Sequence, residues 1–169
     1  MNCDKLIQRY NSLKARRDGT FLPVWREVRK YVYPTYSDYL SEGGIRGAAL
    51  FDDTAILARG RLAAGIYNWM APPDKRWYEI EAADDELQKD GEIKDFFAES
   101  SKLTARAMAN SNWPTVLVQL LNESASGIDA VCYCEEGKNP GEILFYAWPA
   151  ETAVYAENAH GEVDTIFRE

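Results

Sequence analysis

Histidine is almost missing from this chain. His160 stands alone among 169 residues, in the turn-like stretch Asn158-Ala159-His160-Gly161, where an imidazole is normally solvated. Most acid–base triads and many zinc centres are built on histidine. No activated nucleophile is suggested near Ser100, Ser101 or Cys132. Cysteine is scarce as well. Cys3 is isolated, and Cys132 and Cys134 are two apart in a strand-like run. Their side chains would share one face, too close along one strand to bridge easily. An odd count without C-x-x-C predicts buried or free thiols rather than a disulfide or zinc site.

Basic charge is in deficit: 19 Lys and Arg against 27 Asp and Glu, net charge -8. That does not favour a nucleic-acid clamp, which needs a basic face to displace counterions, and it argues against adhesion to anionic membrane. An acidic wall can still flank a duplex that slides past it. No run reaches the roughly 18 apolar residues of a membrane span. Asn2-Cys3-Asp4-Lys5 is polar with no apolar stretch behind it, so the reading is of a protein made and kept in a cytoplasm. Gly43-Gly44-Ile45-Arg46-Gly47 is glycine-rich but follows no strand and lacks G-K-[ST]; it reads as a loop, not a phosphate cradle. Glu81, Asp84, Asp85 and Glu86 could bind a divalent cation through oxygen. They lack the spacing and central glycine of a calcium loop and read as a solvated turn.

What the chain has is apolar and aromatic content, 46% and 12%, which argues against disorder. A chain of this length buries about 70% of its unfolded surface. Leu6, Ile7, Tyr10 and Leu13 predict a helix over 4–17, with Gly19 as its stop. Thr20 would cap a second helix to about Tyr33, buried through Val24, Trp25, Val28, Tyr31 and Val32, and the two would form an antiparallel pair. Residues 34–51 read as a loop. A third helix, capped by Asp52, Asp53 or Thr54, runs to about Met70. It is rich in small residues (Ala55, Ala58, Gly60, Ala63, Ala64, Gly65) that invite close packing, and Pro72-Pro73 ends it. Arg76–Glu81 alternates like a strand, and 84–91 reads as a charged turn. Helices follow over 92–110, with Ile93, Phe96, Phe97, Leu103, Ala107 and Met108 inward, and over 115–124 on Val116, Leu117, Leu120 and Leu121, closed by Gly127. Strands are predicted over 128–135, 142–148, 153–157 and 162–168, the last two joined by a turn at 158–161. The fold class is α+β: helices over 1–126 packed on a mostly antiparallel C-terminal sheet over 127–169, as one domain. A last strand that stops without a cap suggests a fragment of a longer chain.

Arg9, Lys14, Arg16, Arg17, Arg26, Arg29 and Lys30 are the one basic concentration, followed by Tyr31, Tyr33, Tyr36 and Tyr39. Basic-plus-aromatic is a single-strand nucleic acid pattern. The same arginines interleave with apolar helix positions, as on a solvated face that makes salt bridges to an acidic neighbour. The tryptophans at 25, 69, 77, 113 and 148 fall at element starts or on apolar stripes, as core anchors or contact residues.

The order of landmarks is similar to the head-to-tail connector (portal) proteins of short-tailed phages. It runs through Arg16-Arg17, Trp25, Tyr31-Val32-Tyr33-Pro34, Phe51-Asp52-Asp53-Thr54, Leu62-Ala63-Ala64-Gly65, Ala71-Pro72-Pro73 and Arg76-Trp77-Tyr78. It continues with Asn110-Ser111-Asn112-Trp113, Phe145-Tyr146-Ala147-Trp148-Pro149, Tyr155 and Gly161-Glu162-Val163-Asp164-Thr165-Ile166-Phe167-Arg168. The resemblance implies the N-terminal, wing-side part of a portal subunit, without stem, clip or crown. It implies a homo-oligomeric ring, commonly a dodecamer, at one capsid vertex. Double-stranded DNA would pass through the ring without sequence-specific binding, and capsid, terminase and tail proteins would be partners. Assembly would take place in the host bacterial cytoplasm, with the virion as destination and no membrane contact. Packaging energy would come from a separate motor ATPase. No enzymatic activity, cofactor, catalytic residue or metal site is expected.

Contacts in such rings are heterologous, so one face must complement another. The basic N-terminal helices against acidic 81–99 would supply that match. The candidate subunit-interface residues are Arg26, Arg29, Trp77, Glu81 and Asp85. Two alternatives stand beside this: a non-viral oligomeric adaptor, and a small metal-dependent enzyme with an acidic site at Glu81–Glu86.

Overall fold

A computed structural model describes residues 3–34, 52–72, 75–139 and 141–169. Most of the loop reading over 34–51, including the glycine-rich stretch, Tyr36 and Tyr39, lies outside the described residues, as does Pro73. The fold is α+β. Five helices, α1 (Cys3–Arg16), α2 (Leu22–Val32), α3 (Thr54–Met70), α4 (Gly91–Asn110) and α5 (Trp113–Ala125), precede four strands. These are β1 (Ala130–Glu136), β2 (Ile143–Pro149), β3 (Ala153–Glu157) and β4 (Val163–Arg168). They form two separate two-stranded sheets, β1–β2 and β3–β4, rather than one. The chain divides into two compact units. One comprises Met1–Ala63, Asn122–Val131 and Trp148–Glu169; the other comprises Ala64–Leu121 and Cys132–Ala147.

In the first unit, α1 and α2 are not an antiparallel pair. Arg17–Phe21 forms a π-helical turn, and Arg16, Phe21 and Leu22 all keep right-handed helical angles, so the helical run is continuous. Gly19 is no stop and Thr20 no cap. A π turn inserts one extra residue and turns the side chains that follow. Here Arg17 is held inside at 7% exposure. It donates to Asp18 Oδ1 (2.9 Å), the Ala153 carbonyl (3.4 Å) and Glu169 Oε1 (2.7 Å). These tertiary acceptors favour the inserted residue over the chain reversal that glycine suggests.

The apolar centre of this unit is Trp25, Ile128 and Ala150 with Val28 against them, and Phe21 stacks on Trp25 at 5.8 Å. Burying each large side chain contributes about 1.5–3 kcal/mol. The α2 stripe differs from the expected one: Val24 and Tyr31 are exposed, and Trp25, Val28, Arg29 and Val32 face inward. β3 and β4 pair antiparallel from Ala153↔Arg168 to Glu157↔Val163, with an irregularity at Ala156/Glu157. The predicted turn joins them. Asn158 Oδ1 accepts from His160 and Glu162 N–H, and Gly161 takes φ 80°, a left-handed conformation that favours glycine. Tyr10 meets Phe167 edge-on at 5.7 Å and Arg9 pairs with Asp164 at 3.1 Å, which ties α1 to β4.

In the second unit, Asp90 caps α4 by accepting from Glu92 N–H at 2.9 Å. The predicted strand over Arg76–Glu81 forms no ladder among the described residues. Its Ile80 N–H donates instead to Ser101 Oγ at 2.8 Å, from a serine fully buried on α4. A side-chain acceptor replaces the neighbouring strand, which alternation cannot reveal. Val116 and Leu120 of α5 are buried as expected, whereas Phe96 and Leu103 on α4 are 67% and 57% exposed. All three cysteines are free and exposed, so the thiol reading holds in its free form, not its buried one.

Candidate functional site

Arg29 is the most deeply placed charge in the first unit, 1% exposed. It lies four residues after Trp25, one helical turn along the same inward face. Its guanidinium is enclosed by two carboxylates. Nη1 and Nη2 donate to Glu123 Oε1 and Oε2 at 3.2 and 2.8 Å, while Nη2 donates to Glu151 Oε2 at 2.8 Å and Nε to Glu151 Oε1. Glu123 and Glu151 are 3% and 5% exposed.

Local sequence delivers both acids. Glu123 is in the last turn of α5, which Gly127 closes at φ 72°. Gly127 N–H donates to the Ser124 carbonyl at 3.0 Å and Ile128 N–H to the Glu123 carbonyl at 3.2 Å, the paired closure of a Schellman motif. Glu151 sits in the 3-10 turn Ala150–Thr152, directly after Pro149.

One cation thus serves two buried anions. Burial works against the charge on Arg29, but hydrogen bonds and charge from Glu151 and Glu123 outweigh it and hold the guanidinium above its ordinary value. Burial pushes Glu123 up, and the nearby Glu151 adds to this, against the pull of Arg29 and Arg59. Arg59 of α3 places its guanidinium 4.0 Å from the Tyr33 ring centroid, a cation–π contact. Chemically this cluster is a structural lock. Every carboxylate oxygen in it accepts a hydrogen bond from Arg29.

The expected interface residues separate accordingly. Arg26 is on the exposed side of α2. Arg29 is a correction: it was expected on a solvated basic face and is buried, its charge matched inside the chain. In the second unit Trp77 is 45% exposed and edge-on to Tyr78 at 4.9 Å. Glu81 and Asp85 are exposed. Asp84 Oδ1 accepts from Glu86 N–H at 2.8 Å, a local turn closure. Among the described residues no group of three or more His, Cys, Asp or Glu is arranged to hold a metal ion, and no helix is long and apolar enough to cross a membrane.

Sequence reasoning missed Glu123 and Glu151 entirely. One signal was available: Gly127 as a left-handed cap assigns Glu123 to the final turn, beside the start of the strand region. The small-residue face of α3 also behaves unexpectedly. Ala55, Ala58, Leu62, Gly65 and Trp69 recur at intervals of three and four, one face of a helix, and all are exposed. Leu62 is 52% and Trp69 92% exposed, and a Cβ added at Gly65 would meet nothing within 4 Å. The close neighbour that this pattern anticipates is not supplied by the described residues.

The probable portal protein of Bordetella phage BPP-1 is 26% identical over 178 residues, covering 97% of this chain and 30% of that protein. The chain therefore spans under a third of the length of that curated relative. A family model described as bacteriophage head to tail connecting protein matches residues 3–169. A match that runs through every helix and both hairpins means that the chain belongs to the bacteriophage head to tail connecting protein family.

Proposed function

We propose that this chain is the N-terminal, wing-side part of a portal subunit, a structural and non-enzymatic component of the phage particle. In this reading, identical subunits close into a ring at one capsid vertex. DNA enters and leaves through the central channel, the tail attaches to the ring, and a separate ATPase supplies the work. Family membership carries the connector role. The name of the Bordetella phage relative supports the portal assignment.

The exposed α3 stripe supports assembly. Five positions at heptad-like spacing present alanine, glycine, leucine and tryptophan to solvent, the composition of a surface that accepts another backbone closely. In a closed ring each copy offers one face to a different face of its neighbour. Arg26 on an exposed α2 position, opposite Trp77, Glu81 and Asp85 of the next copy, remains the proposed other part of that contact; the buried Arg29 is left out of it.

Electron microscopy of the complete polypeptide containing this chain tests the reading. Rings with a central channel are expected, and the double variant Leu62→Glu, Trp69→Glu should give dispersed subunits of unchanged helical content. Rings that form equally well in the variant would remove α3 from the contact. Monomers from the unaltered protein would remove the portal reading itself.

A further inference from the structure

The second compact unit contains a cavity of about 400 Å³, lined by Tyr67, Trp77, Tyr78, Met108, Trp113 and Leu117 among others. Two polar atoms on these walls, the Tyr78 hydroxyl and the Trp113 indole Nε1–H, are buried and find no hydrogen-bond partner among the described residues. Buried polar groups are paired in the great majority of cases, so two unmet groups on one cavity are a demand for an occupant.

Trp113 is not free to turn away. Its neighbour Asn112 brackets Phe145, accepting from the backbone N–H at 2.9 Å and donating to the carbonyl at 2.7 Å. The indole packs on the Phe145 ring at 4.8 Å, and its backbone N–H donates to Ser111 Oγ at 3.1 Å. A donor held this firmly in apolar surroundings is preorganised for an acceptor.

The rest of the lining states what that acceptor carries. Among the described residues no carboxylate lines the cavity, and Lys75 and Arg76 do. Arg76 shares its charge with Glu79 at 3.2 Å, whereas Lys75 makes no ion pair among the described residues. The complement is an apolar body with a carbonyl or carboxylate acceptor and negative charge near Lys75. Around the cavity, Met70 at the end of α3 and the lining Trp77 are 64% and 45% exposed. A single small acid fills a cavity but does not extend over such neighbouring side chains; an extended chain does.

We propose that this cavity receives an extended segment of another polypeptide. The segment inserts an apolar side chain, its backbone carbonyl accepts from Trp113 Nε1–H, and an adjacent acidic residue pairs with Lys75. The inference can be tested on the single chain, since the cavity lies wholly within one compact unit.

The test follows indole N–H signals of the full ¹⁵N-labelled chain by NMR, with Trp113→Phe identifying the Trp113 signal. The probe is a blocked tripeptide of phenylalanine, aspartate and leucine. Saturable movement of the Trp113 signal is expected, and Lys75→Glu, on an exposed side chain, should weaken it about tenfold. Thermal melts of both variants verify folding. A tripeptide with lysine in place of aspartate should leave the signal unmoved. An unmoved signal with the aspartate probe, or equal response to both tripeptides, would overturn the proposal. Binding of phenylacetate as tight as the tripeptide would also overturn it, by making the cavity a site for free acids.

Discussion

Arg29 on α2 and Glu123 in the last turn of α5 are joined by two parallel hydrogen bonds of 3.2 and 2.8 Å, between groups 94 residues apart in sequence and 1% and 3% exposed. With Glu151 on the other side of the guanidinium, this cluster fastens a helix, a helix end and a strand connector by charge alone. Such geometry is costly to assemble and more costly to break, because removal of one partner leaves the others charged and dry.

Replacing Arg29 with methionine keeps the volume and removes the cation. The expected loss is about 3–5 kcal/mol, read as a lower urea midpoint. Adding Glu123→Gln and Glu151→Gln to that variant should recover part of the loss, since amides are cheaper to bury than carboxylates. A loss under about 1 kcal/mol for Arg29→Met would place the cluster in the range of a surface ion pair.

Gly127 carries the closing turn of α5 at φ 72°. A Cβ there meets nothing within 4 Å, so space is no obstacle and the penalty of Gly127→Ala is conformational. A cost of about 1–2 kcal/mol is expected. Gly127→Asn should cost less, because asparagine tolerates the left-handed region. Thermal denaturation of the two variants, ranked in that order, checks the assignment.

Tyr155 donates to Asp129 Oδ2. Burial, then that hydrogen bond and the charge of Asp129, push its phenol from 10.0 up to about 12. A folded pKa above the unfolded one means that the unfolded chain gives up its proton first. The contribution of Tyr155 is thus intact below pH 10 and is lost as pH rises towards 12. Circular dichroism across that window should show alkaline loss of structure that is shallower in Tyr155→Phe. Identical alkaline profiles would remove Tyr155 as its source.

Deleting Gly19 would turn the π turn at Arg17–Phe21 into ordinary α-helix and rotate α1 about 100° against α2. Arg9, Tyr10 and Lys14 would leave Asp164, Phe167 and Glu169, the partners that they meet here. A destabilised protein with unchanged helical content is expected; an unchanged melting temperature would mean that those contacts hold little.

Periodicity was informative where one element buries one face. It located α5 with Val116 and Leu120 inward, β3 to the residue, and the Asn158–Gly161 turn, all cases where the decisive partners lie within a few positions. It failed where the partner is distant. Gly19 reads as a stop until Ala153 and Glu169 supply acceptors for Arg17. Arg76–Glu81 reads as a strand until Ser101 takes the hydrogen bond that a neighbouring strand would have taken. Arg29 reads as solvated surface because nothing local announces Glu123 or Glu151. The interface residues Arg26, Trp77, Glu81 and Asp85 were legible as exposed side chains, but exposure alone names no contact.

The amino-acid sequence by itself determined the α+β class, the stop of α5 at Gly127, the β3–β4 turn and, through its order of landmarks, the family. Helix caps, turn glycines and apolar spacing act over a few residues, and their physics is written in adjacent positions. Only the tertiary structure decided which charges are buried and that α1 runs on into α2. Those outcomes depend on groups more than 90 residues apart meeting in space, where desolvation and hydrogen bonding, not local propensity, set the free energy.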